Sequence, residues 1–343
     1  MRIATYNIEW FANLFDDDNT LLIDNKWSSR YKITRARQIE AIAMVLTTID
    51  ADVILVVEAP NTGNHQSSKA ALEHFAHRFD LRTNKALEGF ASETQQEITL
   101  LYDPKVTDAR HDPIGAPVDD NSPDAAPRFD ASLKVDLTVD LVAETITFSK
   151  PPLEVALTPH KGSPLRLIGV HVKSKSANGA TSRADAVRLA IENRRKQLAQ
   201  CIWIRRRVIG HLNAGEPVVV LGDFNDGPGL DEYEKLFGSS GVEVVLGSDS
   251  GADHRLYDPS AVKTLSPRPQ AQPTTSRFYL SDQKRYLNTL LDFIMVSPDL
   301  RTRAKKWKIW HPFDEPTCYE DPELREALLD ASDHFPVTLD IDL

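Results

Sequence analysis

Val218-Val-Val-Leu-Gly-Asp-Phe-Asn-Asp226 is an apolar, β-branched run that stops abruptly in a glycine and three polar residues. A run of this kind predicts a strand, and its ending predicts a turn crowded with groups that can bind a metal, move a proton or grip a phosphate. The same form recurs along the chain. Ile3-Ala-Thr-Tyr-Asn7 leads into Glu9, Val53-Ile-Leu-Val-Val-Glu58 ends in a carboxylate, and Leu167-Ile-Gly-Val-His171 ends in an imidazole. Later come Leu290-Leu-Asp292-Phe-Ile-Met295 and Ala331-Ser-Asp333-His334-Phe-Pro336.

Around these runs the pattern alternates between short β-branched stretches and longer ones of helical period, which argues for sheets covered by helices, an α/β or α+β class. Strands are predicted over Ile3–Ile8, Val53–Val57, Ile98–Tyr102, Leu165–Val172, Val218–Leu221, Leu290–Val296 and Val337–Ile341. Helices are predicted over Arg35–Thr48, Ser68–Phe79, Ser182–Val208 and Pro322–Asp330. In the third helix Val187, Ile191, Leu198 and Ile202 recur at spacings of four and seven and are expected to face the core. Asp103–Asp130, rich in Pro, Asp and Ala, and Asp249–Gln283, with Pro259, Pro267, Pro269 and Pro273, read as surface loops. Neither changes the composition on its two sides, so one domain over residues 1–343 is expected, without internal repeats.

The 343 residues are 41% hydrophobic and 26% charged, proportions of a globular chain able to bury a core. With 40 Lys and Arg against 50 Asp and Glu, the net charge of -10 gives no overall attraction to a polyanion, which must be held locally if at all. Two cysteines, Cys201 and Cys318, are too few for a disulfide framework and lack zinc-site spacing, although one bridge is compatible with them. The chain starts at once on a strand, without a basic-then-apolar leader, and no apolar run reaches about 18 residues. A cytoplasmic protein with no transmembrane segment is expected.

Taken singly, each polar strand ending is an ordinary turn or cap residue. Six such endings in one vocabulary of carboxylate, amide and imidazole are harder to assign to independent turns. If they converge, the oxygen donors Asn7, Glu58, Asp223, Asn225 and Asp333, with no cysteine among them, select a hard cation, Mg²⁺ or Mn²⁺ over Zn²⁺.

Thr5-Tyr-Asn-Ile-Glu-Trp10, Asp52-Val-Ile-Leu-Val-Val-Glu58, Gly222-Asp-Phe-Asn225, Leu291-Asp292-Phe-Ile294 and Ser332-Asp-His-Phe-Pro336, in this order and over nearly the whole chain, resemble the endonuclease/exonuclease/phosphatase superfamily with its DNase I-like fold. Phe148-Ser-Lys-Pro-Pro-Leu153 and Gly169-Val-His-Val-Lys-Ser-Lys175 are similar to further family segments, the second to a His-x-Lys-Ser-Lys stretch of bacterial members. The resemblance implies a four-layer sandwich, two mixed β-sheets packed face to face and flanked by helices, carrying a metal-dependent phosphoester hydrolase. It implies that Glu58 holds the divalent metal, with Asn7 beside it and Asp333 assisting. Asp223 would orient or deprotonate the attacking water, and Asn225 would hold the scissile phosphate. His334, its tautomer set by Asp292, would donate to a phosphate oxygen, and His171 would be the second imidazole on the phosphate or leaving group. Lys150 stands where many members have Arg, which replaces a forked contact by a point charge. Glu9 is a candidate ligand for a second metal.

From His171 to Arg207 there are ten basic residues and two acidic ones. Lys173 and Lys175, next to His171, are candidate phosphate-binding groups together with Lys150, whereas Arg183–Arg207 reads as a solvated helix face. The function expected is a nuclease or phosphodiesterase acting on DNA or RNA. The alternatives are a hydrolase of a small phosphoester (nucleotide, sugar or inositol phosphate, phospholipid headgroup) and a catalytically silent binding module. The retention of Asn7, Glu58, His171, Asp223, Asn225, Asp292 and His334 argues against the last. No Gly-x-Ser-x-Gly elbow or Gly-x-x-x-x-Gly-Lys loop points to other hydrolases.

Overall fold

The computed structural model describes residues 1–63, 65–117, 126–135, 144–176, 179–228, 238–266, 271–280 and 283–343. Fifteen strands are defined among them: β1 (Arg2–Asn7), β2 (Val53–Ala59), β3 (Lys85–Glu88), β4 (Glu97–Tyr102), β5 (Thr107–His111), β6 (Leu133–Val135), β7 (Glu144–Ile146), β8 (Leu153–Pro159), β9 (Leu165–His171), β10 (Val218–Asp223), β11 (Ser276–Leu280), β12 (Arg285–Thr289), β13 (Asp292–Val296), β14 (Ala304–Ile309) and β15 (Val337–Ile341). The six-stranded sheet runs β14-β15-β1-β2-β4-β3 and the five-stranded sheet β13-β10-β9-β8-β5. Both are mixed. β1 and β2 are parallel, as are β9 and β10, and the remaining ladders of the two sheets are antiparallel.

Pleat alternation sends the side chains of each central strand in two directions, and in this protein both are buried. Val53, Leu55 and Val57 of β2 join Val219 and Leu221 of β10 in the core between the sheets. Ile54 and Val56 point the other way, into a second core with α1 (Arg35–Ile49), α2 (Ser68–Arg78) and, further along, the C-terminal helix Pro322–Ala331. Val218 and Val220 pack into a third core with Trp203, Ile204 and Val208 of α3 (Arg183–Asn213) and with α4 (Gly241–Leu246). Helix, sheet, sheet, helix is the resulting order of layers, which bears out the sandwich inferred above. Thr34, Ser67 and Ser182 cap α1, α2 and α3 by accepting from backbone amides in their first turns.

All seven predicted strands and all four predicted helices form, with ends shifted by a few residues. Three readings need correction. The stretch 103–130 contains the edge strand β5 and the fully buried Phe129, and 249–283 contains α5 (Pro259–Leu265) and β11. Pro259 stands in the first turn of its helix, where a missing N–H costs nothing. Pro267 and Pro269 lie outside the described residues, as does 118–125. In α3 the expected stripe is misplaced, since Val187 is exposed and Ile191 and Ile202 are only partly covered. The helix buries its C-terminal half instead, and with it three arginines that the sequence assigned to solvent.

Arg194, Arg205 and Arg207 are buried and end on acceptors inside the protein. Arg194 donates to Asp226 (2.8 Å) and to the Ser239 carbonyl (3.2 Å), Arg205 to the Val245 carbonyl (3.3 Å) and Ser250 (2.9 Å), and Arg207 to the carbonyls of Ala126 and Pro127 (2.8 and 2.9 Å). A helical-period count of apolar residues misses this face because long side chains bury their stems and terminate on backbone acceptors.

Gly222 sits at φ 136° within β10, and a Cβ there would lie 2.0 Å from the Val170 carbonyl oxygen on the neighbouring β9. Only glycine permits this backbone to approach β9 while presenting Asp223 at the strand end. Gly222→Ala is expected to destabilise the protein by about 3 kcal/mol, from strain combined with overpacking. A urea denaturation midpoint equal to that of the wild type would contradict this reading.

Candidate active site

Strand register alone brings three of the predicted groups into one row. Asp223 at the end of β10 is opposite His171 on β9 and Asp292 on β13. In the other sheet Asn7 ends β1 opposite Val57, and the chain continues into Glu58, where the β2–β4 register shifts and Glu58 adopts φ 59°. Such a left-handed carboxylate residue stores about 1–3 kcal/mol of strain and turns its side chain out of the normal pleat. β15 runs antiparallel to β1, so the residues just before it, Ser332 to His334, return to the same edge. The Ser332 hydroxyl donates to the Asn7 carbonyl (2.8 Å) and accepts from the amides of Glu9 (3.1 Å) and His334 (3.2 Å), fastening that loop to the end of β1.

Asp223 is the hub. Its Oδ1 accepts from the Asn225 amide (2.7 Å), and its Oδ2 accepts from Asn7 Nδ2 (3.0 Å) and Asn225 Nδ2 (3.2 Å). Asn225, at φ 49°, also donates from Nδ2 to the Val172 carbonyl (3.0 Å). His171 Nε2 stands 3.7 Å from Asp223 Oδ2 and 3.9 Å from Glu58 Oε1, and its Nδ1 lies 3.3 Å from Lys150 Nζ. Lys150 also donates to Gln96 Oε1 (2.6 Å), and Gln96 Nε2 donates to Glu58 Oε2 (2.6 Å). His334 Nδ1 donates to Asp292 Oδ2 over 2.8 Å.

Burial dominates the electrostatics. It pushes Asp223 up to about 7, against the opposing pull of His334. Glu58 is likewise raised by burial, with Lys150 and His334 pulling it back. The two imidazoles are driven apart. Burial, Lys150 and His334 hold His171 well below the usual histidine value, so it is neutral, and its Nδ1 accepts from the Lys150 ammonium. Burial also works against the charge on His334, but the Asp292 carboxylate at hydrogen-bond distance, together with Asp223 and Asp333, outweighs it and holds His334 well above the usual value.

Two groups of side chains can hold a cation. Asp223, Asp292 and His334 offer ligand atoms within 4.8 Å of one another. A protonated His334 that spends Nδ1 on Asp292 is a poor ligand, however, and Asp223 already accepts three hydrogen bonds. Asn7 Oδ1, by contrast, is buried without a partner beside Glu58. An orphaned amide oxygen next to a carboxylate is the donor set a hard divalent cation takes.

The structure thus brings together Asn7, Glu58, His171, Asp223, Asn225, Asp292 and His334, with Lys150 among them. Asp333 is half-buried next to His334, and its charge acts on Glu58 and Glu9. Lys173 approaches closely enough for its charge to lower Lys150. Lys175 departs from the expected phosphate contact, because its ammonium is ion-paired with the buried Asp226, which Arg194 also holds. Glu9 departs from a second-metal role, because its carboxylate is paired with Arg30. Burial and Asp333 raise Glu9 to about 7. Cys201 and Cys318 are both free and buried.

Several supporting residues were not singled out by the sequence. Gln96 bridges Glu58 and Lys150, Thr275 accepts from the amides of Leu291 and Asp292 (3.0 Å each), and Gln197 of α3 donates to the Asn225 carbonyl (2.9 Å). None follows an apolar run or belongs to a motif. Ser332 alone carried a signal, as the first residue of Ser-Asp-His-Phe-Pro.

The model of the Endonuclease/Exonuclease/phosphatase family matches residues 4–334. The chain belongs to this family. Its members hydrolyse phosphoesters with the help of divalent metals. Solved structures with the same fold include TDP2 from Caenorhabditis elegans, at 13% identity and a TM-score of 0.50 over 99% of this chain and 73% of that one. They also include the 3' phosphatase NExo from Neisseria bound to a product DNA hairpin, at 16% identity and a TM-score of 0.50 over the whole of both chains. An AP endonuclease from Archaeoglobus fulgidus covers both chains fully at 12% identity and a TM-score of 0.50. At these identities the likeness is one of fold. No curated protein matches the chain. Among the described residues, no helix is long and apolar enough to cross a membrane.

The separation of the two imidazoles has a direct check. In Asp292→Asn the anion facing His334 Nδ1 is gone, so the His334 pKa is expected to fall towards or below the ordinary histidine value while His171 stays neutral. Nitrogen-resolved NMR titration of the two rings reads both, and an unmoved His334 would show that Asp292 does not hold its proton.

Proposed function

We propose that this family member is a phosphodiesterase that cleaves DNA or RNA by in-line attack of water, with Mg²⁺ or Mn²⁺ as cofactor, acting as one domain over residues 1–343. The observation that carries the reading is the buried Asp223 carboxylate, raised to about 7 and gripped by Asn7 and Asn225, next to a protonated His334. A base poised near neutrality beside a fixed cationic donor is what attack of water on an anionic phosphorus requires.

A hard divalent cation held by Glu58 and Asn7 Oδ1, with Asp333 close by, neutralises phosphoryl and leaving-group charge when bound. Asp223 takes the proton of the attacking water. The oxygen of that water bonds to phosphorus as the opposite P–O bond breaks. The His334 imidazolium donates to the non-bridging oxygens as charge grows on them, and Asn225 joins it by turning one Nδ2–H from Asp223 to the phosphate. Neutral His171, anchored by Lys150 at Nδ1, presents its Nε2–H on the side of Asp223 and Glu58, where it can donate to the phosphate or the departing oxygen. Lys173 and Lys150 provide positive charge for phosphate, and a reducing compartment such as the cytoplasm suits the two free thiols.

The test is hydrolysis of plasmid, single-stranded DNA, RNA and small phosphoesters with Mg²⁺, Mn²⁺ or EDTA. Cleavage of a polymer is expected, abolished by EDTA and steeply weakened by salt. Asp223→Asn and His334→Ala are each expected to lower kcat by on the order of 10²- to 10⁴-fold without unfolding the chain. Rate should rise with pH as Asp223 ionises, at or below about pH 7 because a bound cation favours the anion, and fall only where His334 loses its proton. Turnover of small esters alone would move the assignment to a small-molecule hydrolase, and full activity in either variant would overturn the assigned roles.

A further inference from the structure

β11 and β12 form a two-stranded ribbon that belongs to neither sheet. Its base is built into the site: Ser276 bridges to His334, the Arg277 amide donates to the Asp333 carbonyl (2.8 Å), and the Phe278 ring meets the His334 ring edge-on at 5.5 Å. Residue alternation then gives the ribbon two different faces. Phe278 and its cross-strand partner Leu287 are on the face towards His334. The other face carries Arg277, Tyr279, Tyr286 and Asn288.

On that second face Tyr279 and Tyr286 are direct cross-strand partners, 57% and 52% exposed, with ring centroids 5.2 Å apart. The Arg277 guanidinium lies 4.0 Å from the Tyr286 centroid and 5.3 Å from that of Phe313, itself 42% exposed. An aromatic pair of this kind stabilises a ribbon, yet that purpose does not require two large rings to remain half in water, nor a guanidinium stacked on one of them. Residues 276–289 contain Arg277, Lys284 and Arg285 against the single acid Asp282, in a chain whose net charge is -10. Local positive charge interleaved with exposed rings suits a partner with a negative backbone and flat apolar units, which is an unpaired nucleic-acid strand.

We infer that the β11–β12 ribbon is a single-strand grip, in which bases beyond those at the scissile phosphate, where the strand runs past the ribbon, stack on Tyr279 and Tyr286 while Arg277 and Lys284 meet the backbone. This rests on the nuclease reading and adds the state of the polymer. A paired duplex keeps its bases stacked on each other and cannot use the rings in this way.

The experiment measures anisotropy of a short fluorescein-labelled oligothymidylate, and of the same label in a duplex, in an Asp223→Asn background that does not consume it. Tyr279→Ala with Tyr286→Ala is expected to weaken single-strand binding about tenfold or more and duplex binding little. Tyr279→Phe with Tyr286→Phe, which keeps the rings, should bind within about twofold of the parent. With Asp223 restored, the double-alanine variant should raise KM on single-stranded DNA and leave kcat/KM on bis(p-nitrophenyl) phosphate unchanged. Unaltered oligonucleotide binding in the alanine variant would overturn the inference alone. So would equal losses on single strand and duplex, or an equal loss on the small ester, which would mean that the ribbon only supports His334. A parent that hydrolyses the small ester but neither binds nor cleaves any polymer would overturn the nuclease reading as well.

Discussion

Asn7 Nδ2 donates to Asp223 Oδ2 across the seam between two separate sheets, and Asn225 and His171 gather around the same carboxylate. Asn7 ends a strand of the six-stranded sheet and Asp223 a strand of the five-stranded one, so the bond exists only if the two sheets pack at the right depth and offset. The core between them, from Ile3 and Leu55 to Leu167, Val219 and Ile294, sets that offset. Close-packed interiors deform little. The chemistry of the strand ends is therefore held by apolar packing that contains no reactive group.

The second constraint is electrostatic. Burying Glu58, Asp223 and Asp292 within one cluster is unfavourable for the carboxylates, and burial accordingly raises Glu58 and Asp223. Lys150 and the His334 imidazolium offset part of this, and Asn7, Asn225 and Gln96 provide neutral donors. The cluster is thus left short of positive charge beside the unpartnered amide oxygen of Asn7, where the proposed cation would be held. Lys150 in place of a guanidinium fits this picture differently from a forked phosphate clamp. Its single ammonium divides between Gln96 and His171, orienting one group and keeping the other neutral.

Beside the site, Arg194 and Lys175 both hold the buried Asp226 in an ion network at the turn that follows β10. Removing one partner of such a network would leave a charge stranded in the interior. The basic segment from His171 to Arg207 is thus not all available at the surface. Part of its charge is spent inside, on Asp226, Glu154 and backbone carbonyls. In the proposed function, the positive charge that would meet a substrate lies nearer Lys150, Lys173 and the β11–β12 ribbon.

Sequence by itself determined the central strands, the main helices and the identity of the strand-end residues. Val53–Val57, Val218–Leu221 and Arg35–Thr48 were legible because a buried strand is a continuous β-branched run and a surface helix a periodic one, both local properties. Asn7, Glu58, His171, Asp223, Asp292 and His334 were legible because each interrupts or ends such a run. Edge strands such as β5, with alternating exposed residues, and the ribbon β11–β12 were not, since edge and ribbon pairing depends on which neighbour the chain meets. The tertiary structure alone decided that Glu9 pairs with Arg30, that Lys175 turns inward to Asp226, and that Gln96, Thr275 and Gln197 hold the site residues in place. Those partners come from remote parts of the chain. Whether a charge faces substrate, solvent or another buried charge is set by where the sheets and helices bring it, which no local pattern of residues encodes.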